Sequence, residues 1–537
     1  MSQRKSQSVG VIGAGPGGLA TAALLAASGL RVRVYEACPE IGGRTSRITL
    51  RDGERGGGAY CFDRGPTFFM MPYVLEEIFS AAGDSLASRV ELTRLDPMYR
   101  LVHGSASGAV RTLDTTQRLP EMARRLEAME PGAGASFERF MADNRRKLAL
   151  MEPILRSPIR GVMDLMNWRT MKAGTVINPH QSVYQHLGKY FRTDAVKLSL
   201  SFQSKYLGMS PYECPSLFSI LPFIEYEYGI WHPTGGCSAL MGALAGLVED
   251  LGGEVVTGAP VSRIAFNGRR ATGVEVGGDR GGVFEHDHVV INADAAWAIK
   301  KLVPERLRPA ELSDACIDAK RYSCSTFMLY LGLEGRTELP HHTIYISGSY
   351  KENIDDIAVR GVLSRDPSLY VCNPCVTDPG MAPAGGSALY VLVPTPNCKS
   401  GIDWEGEKPR LRRLALEQME RVLGLSGIEG RIRAERLVTP DDWRGSNINF
   451  GATFSMAHTL SQMLHKRPHH RLQGVDGVWL AGGGTHPGSG LPVIFLSAQI
   501  TAKLLCAEAG AAYAGDRAGG AAAASSRRSE ALAAAGA

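Results

Sequence analysis

The sequence predicts an α/β fold: a dinucleotide-binding domain assembled from separated stretches of chain, with an inserted helical lobe and a mixed-sheet substrate domain. Two observations at opposite ends of the chain predict the first part. Near the start, a short apolar strand runs into Gly13-Ala14-Gly15-Pro16-Gly17-Gly18 and an alanine-rich helical stretch. Near the end, Val478-Trp479-Leu480-Ala481 leads into a second run of glycines and a second apolar helical stretch. The third observation is a contrast between a strand-poor region from about 70 to 225 and a strand-rich one from about 320 to 395.

Taken in order, Ser8–Ile12 reads as a buried strand, and the helix after the glycine turn covers about 17–28, with Gly29 closing it. Arg31–Tyr35 is a second strand, completing a β-α-β unit of about thirty residues. Residues 252–276 alternate like antiparallel strands, with turns at Asn267-Gly268 and Gly277-Gly278. Residues 289–293 form a strand returning to the first domain, and the last helix covers about 495–507. From 510 onward the chain is almost all Ala, Gly, Ser and Arg, which predicts a disordered tail.

Bulk composition sets the frame. A chain of 537 residues is too long for one core, so two or three lobes are expected. The net charge of +5 is small and not gathered into a run, which excludes nucleic acid as a partner and still suits an anionic lipid surface. Ten irregularly spaced cysteines read as buried hydrophobes in a reducing compartment. Cys372-Asn373-Pro374-Cys375 has no second pair to complete a zinc site, so no metal is expected. Residues 1–8 are polar and carry no secretory signal, and no stretch has the roughly 18 uninterrupted apolar residues of a spanning helix.

The chemistry lies in the glycines. Gly13 permits a tight turn, Gly15 lets backbone approach a pyrophosphate, and Gly17 and Gly18 open the helix, Gly18 letting it pack on the strand. The helix N-terminus then offers free N–H groups to phosphate. Glu36 ends the second strand, where its carboxylate can accept ribose hydroxyls. This is a Rossmann-type unit. Its continuation, Gly42-Gly43-Arg44-Thr45, adds a second close backbone approach and a guanidinium suited to phosphate.

Gly-Gly-Arg at this distance resembles the second fingerprint of flavoproteins of the amine oxidase and phytoene desaturase type. Phe62-Asp63-Arg64-Gly65-Pro66-Thr67 resembles the FDxGPT segment of that family, with Arg64 at its variable position. Gly482-Gly483-Gly484-Thr485-His486-Pro487-Gly488-Ser489-Gly490-Leu491-Pro492 resembles the C-terminal signature of its carotenoid desaturases, which has no acidic residue there. Gly229-Ile230-Trp231-His232-Pro233-Thr234-Gly235-Gly236 and Thr377-Asp378-Pro379 resemble two internal segments. The resemblance spans about residues 8–507. It implies FAD as cofactor, held by the residues just named from Gly13 to Thr45, by Gly65, Pro66 and Thr67, by Val261, and by Gly482, Gly483, Gly484, Thr485 and Pro492.

With FAD named, the expected organisation is three FAD-binding segments (1–75, 226–300 and 471–509), a helical, membrane-contacting lobe (76–225), a mixed-sheet domain (301–470) and a tail (510–537). The resemblance implies hydride transfer from a long apolar isoprenoid, collected from a bilayer, to flavin, with quinone or oxygen as final acceptor. The enzyme would be cytoplasmic, associated with the inner face of the cell membrane. The neighbouring proton needs a base, and His486, His232 and Glu225 are the candidates. Residues 151–171 carry Ile154, Leu155, Ile159, Val162, Met163, Leu165, Met166 and Trp168 between Arg156, Arg160 and Arg169, with a clean interfacial helix expected from Pro158. Oxidation of carotenoid ends or of squalene-type terpenoids, and amine oxidation, are the alternatives. An amine oxidase needs an aromatic cage that the sequence does not locate.

Overall fold

The computed structural model describes residues 6–53, 58–105, 109–174, 178, 180–278 and 281–517. Its first layer is a five-stranded sheet in the order Val478–Leu480, His288–Ile291, Ser8–Ile12, Arg31–Tyr35, Glu254–Val256. All four pairings are parallel. Parallel strands are covered on both faces and so read as continuous apolar runs, which is why Val9, Val11, Val34, Val289 and Val290 are wholly buried. Helix Pro16–Ala27 crosses from the first strand to the second. It ends as expected: Gly29 takes φ 86°, its N–H reaching Ala26 O at 2.9 Å and that of Leu30 reaching Leu25 O at 3.1 Å.

Helix Leu491–Ala509 packs along Pro16–Ala27. It is long and apolar enough to cross a membrane, with a mean hydropathy of 1.4, yet 61% of that window is buried inside the protein. It is a core helix. It starts four residues before the expected 495 because Gly490 and Pro492 form its N-terminus.

Three expectations are corrected. Residues 254–256 do not join the antiparallel ribbon; helix Cys237–Asp250 carries the chain across the first sheet, so this strand pairs in parallel with Arg31–Tyr35. The antiparallel ribbon is Val261–Asn267, Arg270–Val276 and Gly282–Glu285. The lobe at 76–225 is not wholly helical: Arg100–Gly104 and Val110–Asp114 form the edge of a seven-stranded sheet, and Leu92–Arg94 pairs with Trp231–Pro233. Five-residue strands with one or two apolar positions give too little alternation to read. Thirdly, 510–517 is not part of a disordered tail. Ala514 is wholly buried and donates its N–H to Ser28 Oγ at 3.0 Å, and Arg517 bonds Ala27 O. The rest of the expected tail lies outside the described residues.

The seven-stranded sheet runs Ile432–Val438, Ser325–Leu333, Ser387–Thr395, Leu369–Cys372, His342–Ile346, Arg100–Gly104, Val110–Asp114. One face packs on helix Trp404–Leu423. The other faces the first domain through Tyr330, Tyr390 and Met328.

Candidate active site

A cavity of about 1110 Å³ lies between the two sheets. That is at the upper end of the roughly 300–1,000 Å³ of small-molecule sites. Its floor is the first glycine turn. Gly13 takes φ +98°, and a Cβ there would stand 2.4 Å from Asn292 O. A Cβ on Gly18 would stand 2.1 Å from Gly13 O, and one on Gly17 would meet Asn292 Oδ1 at 2.6 Å and Gly482 Cα at 3.0 Å. The glycine bends from the two ends of the chain therefore touch. Asn292, at the end of strand His288–Ile291, sits between them and donates from Nδ2 to Gly13 O at 3.2 Å.

Glu36 is buried at the cavity wall, where its carboxylate accepts the N–H groups of Ala14 at 2.8 Å and Cys38 at 3.0 Å. Arg44 also lines the cavity, with Nη1 donating to Thr453 O at 2.6 Å and Ser455 Oγ at 3.2 Å. Thr67 Oγ1 pairs with Tyr370 OH at 2.7 Å, which joins the Gly65-Pro66-Thr67 segment to the seven-stranded sheet. Gly43, Thr45, Gly65, Pro66, Val261, Gly482, Gly483 and Pro492 complete the expected residues on the wall.

Residues 16–506 match the family described as flavin containing amine oxidoreductase. A 4,4'-diapophytoene desaturase (4,4'-diapolycopene-forming) of a Methylomonas species is 38% identical over 505 residues, covering 92% of this chain and 94% of that one. An all-trans-zeta-carotene desaturase of Myxococcus xanthus is 40% identical over 506 residues, covering 93% of each. The chain belongs to this flavoprotein family, among its carotenoid desaturases. A solved putrescine oxidase bound to putrescine shares the fold, with a TM-score of 0.60 at 15% identity over 94% of this chain and 99% of that one.

The cofactor of this family member is FAD, and the site fits it. The glycines whose Cβ atoms would collide keep a bare backbone cradle, Pro16 and Pro492 bring two helix N-termini to the wall, and buried Thr453 Oγ1 has no hydrogen-bond partner among the described residues. Gly42, with φ +105°, does not line the cavity and donates its N–H to Ala14 O at 2.8 Å, tying this stretch to the first glycine turn. Gly484 and Thr485 do not line it either: a Cβ on Gly484 would meet Ala295 Cβ at 2.3 Å, and Thr485 Oγ1 donates to Pro468 O at 2.6 Å.

None of the three residues expected as bases lines the main cavity. His486 is buried, with Nε2 on Ile154 O at 3.0 Å, and burial pushes its pKa down to about 4. His232 faces Asp378 at 3.3 Å; burial lowers its pKa, and Asp378 opposes the shift. Glu225 is wholly buried, accepting Tyr99 OH at 2.8 Å and Gln203 Nε2 at 2.9 Å. The structure instead brings Asn292, Lys205, Tyr370 and Tyr390 to the cavity. The last two rings are 5.7 Å apart at 62°, an aromatic pair that depends on the register of neighbouring strands and so has no local sequence signal.

Glu225 gives a pH prediction. Burial raises its pKa from 4.5 to about 7. Below 4.5 the carboxyl is protonated in both states; between 4.5 and about 7 only the unfolded chain loses the proton, so stability falls as pH rises through that window. Glu225→Gln keeps an oxygen for Tyr99 and Gln203, so its thermal midpoint should lose this slope and exceed the wild type's at pH 8. A wild-type midpoint equal at both ends of the window contradicts this.

Proposed function

We propose that this enzyme inserts double bonds into a linear C30 or C40 polyene. The observation that carries the reading is the division of one cavity into two kinds of wall. Its acids, Glu36, Glu40 and Asp294, all lie in the FAD-binding segments, whereas Ile344, Ile346, Leu369, Leu392, Ile354 and Ile357 furnish an apolar wall on the other domain. A hydrocarbon has no charged handle, and such a wall binds it at about 25 cal/mol per Å² of apolar surface buried. An amine cation would find no carboxylate on that wall. When bound, FAD would supply a two-electron hydride acceptor. The protein's part is to hold allylic carbons in line, exclude water and receive a proton.

A polyene of this kind resides in a bilayer, and two surface features fit collection from one. Val162, Met163, Met166, Trp168 and Met171 are 58–77% exposed on two short helices, Val162–Leu165 and Trp168–Gly174, where one clean helix was expected. Pro153 lies inside the preceding helix, and Arg156 does not edge the apolar stripe; it pairs with Glu77 at 2.8 Å and Glu152 at 3.0 Å. Arg160 is exposed, and the side chain of Arg169 lies outside the described residues. The second feature is the π-helical turn Asp356–Arg360, in which Ile357 and Ala358 line the cavity and Val359 is 68% exposed. Apolar side chains thus run from cavity to surface. The reading places the enzyme on the inner face of the cell membrane, with quinone or oxygen reoxidising the flavin.

The test is expression in cells that accumulate either diapophytoene or phytoene, with chromatography of the pigments. One precursor should be replaced by longer-wavelength polyenes. Both precursors unchanged, with the flavoprotein present, contradict the assignment.

A further inference from the structure

Desaturation removes a hydride from one carbon and a proton from its neighbour, so some group must take the proton. The three histidine and glutamate candidates are held away from the cavity by partners of their own. Among the cavity's acids, Glu36 already accepts two backbone N–H groups, Asp294 accepts Ser455 Oγ and Trp297 N–H, and Glu40 is exposed. One amine remains. Lys205 lines the cavity, yet its Nζ is buried without a hydrogen-bond partner among the described residues.

Its surroundings explain why it is not an ordinary ion pair. Nζ lies 5.3 Å from the centre of the Tyr350 ring, with the Cys324 thiol as its titratable neighbour among the described residues. Lys205 stands beside Tyr206, whose ring is 5.3 Å from that of Phe68, the residue following Gly65-Pro66-Thr67. The lysine and the segment expected beside the flavin thus line one cavity. An unpaired ammonium out of water is costly, and an amine so placed is neutral more readily than a surface lysine.

We propose, resting on the desaturase reading, that Lys205 is the catalytic proton acceptor. As one C–H bond leaves with its electron pair as hydride to the flavin cofactor, the neighbouring C–H bond breaks with its pair retained as the new C=C bond. The proton goes to the Nζ lone pair, and the resulting ammonium rests against the face of Tyr350. The base is regenerated by passing this proton to solvent between turnovers. Burial lowers the Lys205 pKa to about 8, so the base form gains population as pH rises through that value.

The test uses the FAD-loaded enzyme with polyene in liposomes, without oxygen, and follows flavin bleaching against pH. In the wild type the rate should rise through about pH 8. K205Q should retain FAD and its melting temperature, slow bleaching about 100-fold and lose the pH step. K205A should recover part of its rate with added methylamine. In holoenzyme labelled with 13C-lysine, buried Lys147 and Lys205 should both give Cε signals that titrate near pH 8, and K205Q should lose one of them while K147Q loses the other. A K205Q rate within twofold of wild type, a pH step that survives in it, or slowing without amine rescue overturns the proposal. A wild type that no polyene bleaches removes the desaturase reading, and this one with it.

Discussion

Gly13→Ala is expected to give a colourless protein. The backbone at Gly13 takes φ +98°, a conformation that L side chains rarely adopt, and the new Cβ would stand 2.4 Å from the carbonyl oxygen of Asn292. A carbonyl at the end of a central parallel strand cannot swing aside as a flexible side chain can. Either the first turn moves away from Asn292, or the strand shifts and carries the Gly482 bend with it. Both routes open the cradle in which the two ends of the chain meet. Gly29→Ala is the control, because it too has positive φ, +86°, but nothing lies within 4 Å of its Cβ. That substitution should cost about 1–2 kcal/mol of stability through backbone strain alone. Visible absorbance per protein should fall to background in Gly13→Ala and stay at the wild-type value in Gly29→Ala. Equal yellow colour in both would show that the Gly13–Asn292 contact does not shape the cofactor site.

Replacing Met163, Met166, Trp168 and Met171 together by serine should abolish vesicle binding while leaving the flavin in place. These side chains are 77%, 69%, 62% and 73% exposed, so little of the folded core depends on them. Fully burying a methionine-sized side chain is worth about 1.5–3 kcal/mol, and about 1.4 kcal/mol is a factor of ten in affinity. Even partial insertion of four such groups makes the loss at least about 100-fold. Co-sedimentation with vesicles of anionic phospholipid measures it. The variant should still bleach with polyene supplied in detergent, since Ile344, Leu369 and Leu392 of the cavity wall are untouched. Unchanged sedimentation would transfer the membrane role to another face.

How much of this could be read from the chain depends on how local each signal is. Most of the first sheet is legible because the β-α-β unit carries its own local signals, an apolar strand, a glycine turn and a closing glycine, and Ser8–Ile12 and Arg31–Tyr35 match to the residue. The alternation of residues 252–276 puts Glu254–Val256 in the antiparallel ribbon, since a three-residue strand does not announce its partner. The cofactor end of the cavity was legible for the same reason: glycines at fixed spacing declare a backbone that must come close. Asn292 was read only as part of a strand, because its role is to fill the gap between two glycine bends 469 residues apart, from Gly13 to Gly482. The expected bases misled in an instructive way. His486 stands within the glycine signature, yet its ring turns away to Ile154, on a helix of another lobe. Lys205 lies in the stretch 204–211, which supports the family resemblance without suggesting a base; its place on the cavity wall, with no hydrogen-bond partner among the described residues, marks it out.

The central claim is that one cavity serves both a flavin and a polyene. Mixing purified enzyme with diapophytoene or phytoene in liposomes, in the absence of oxygen, while recording the visible spectrum tests it most directly. The flavin bands should bleach as the polyene absorption moves to longer wavelength, and putrescine should leave the spectrum unchanged. A yellow protein bleached by the amine and indifferent to both polyenes would contradict the account.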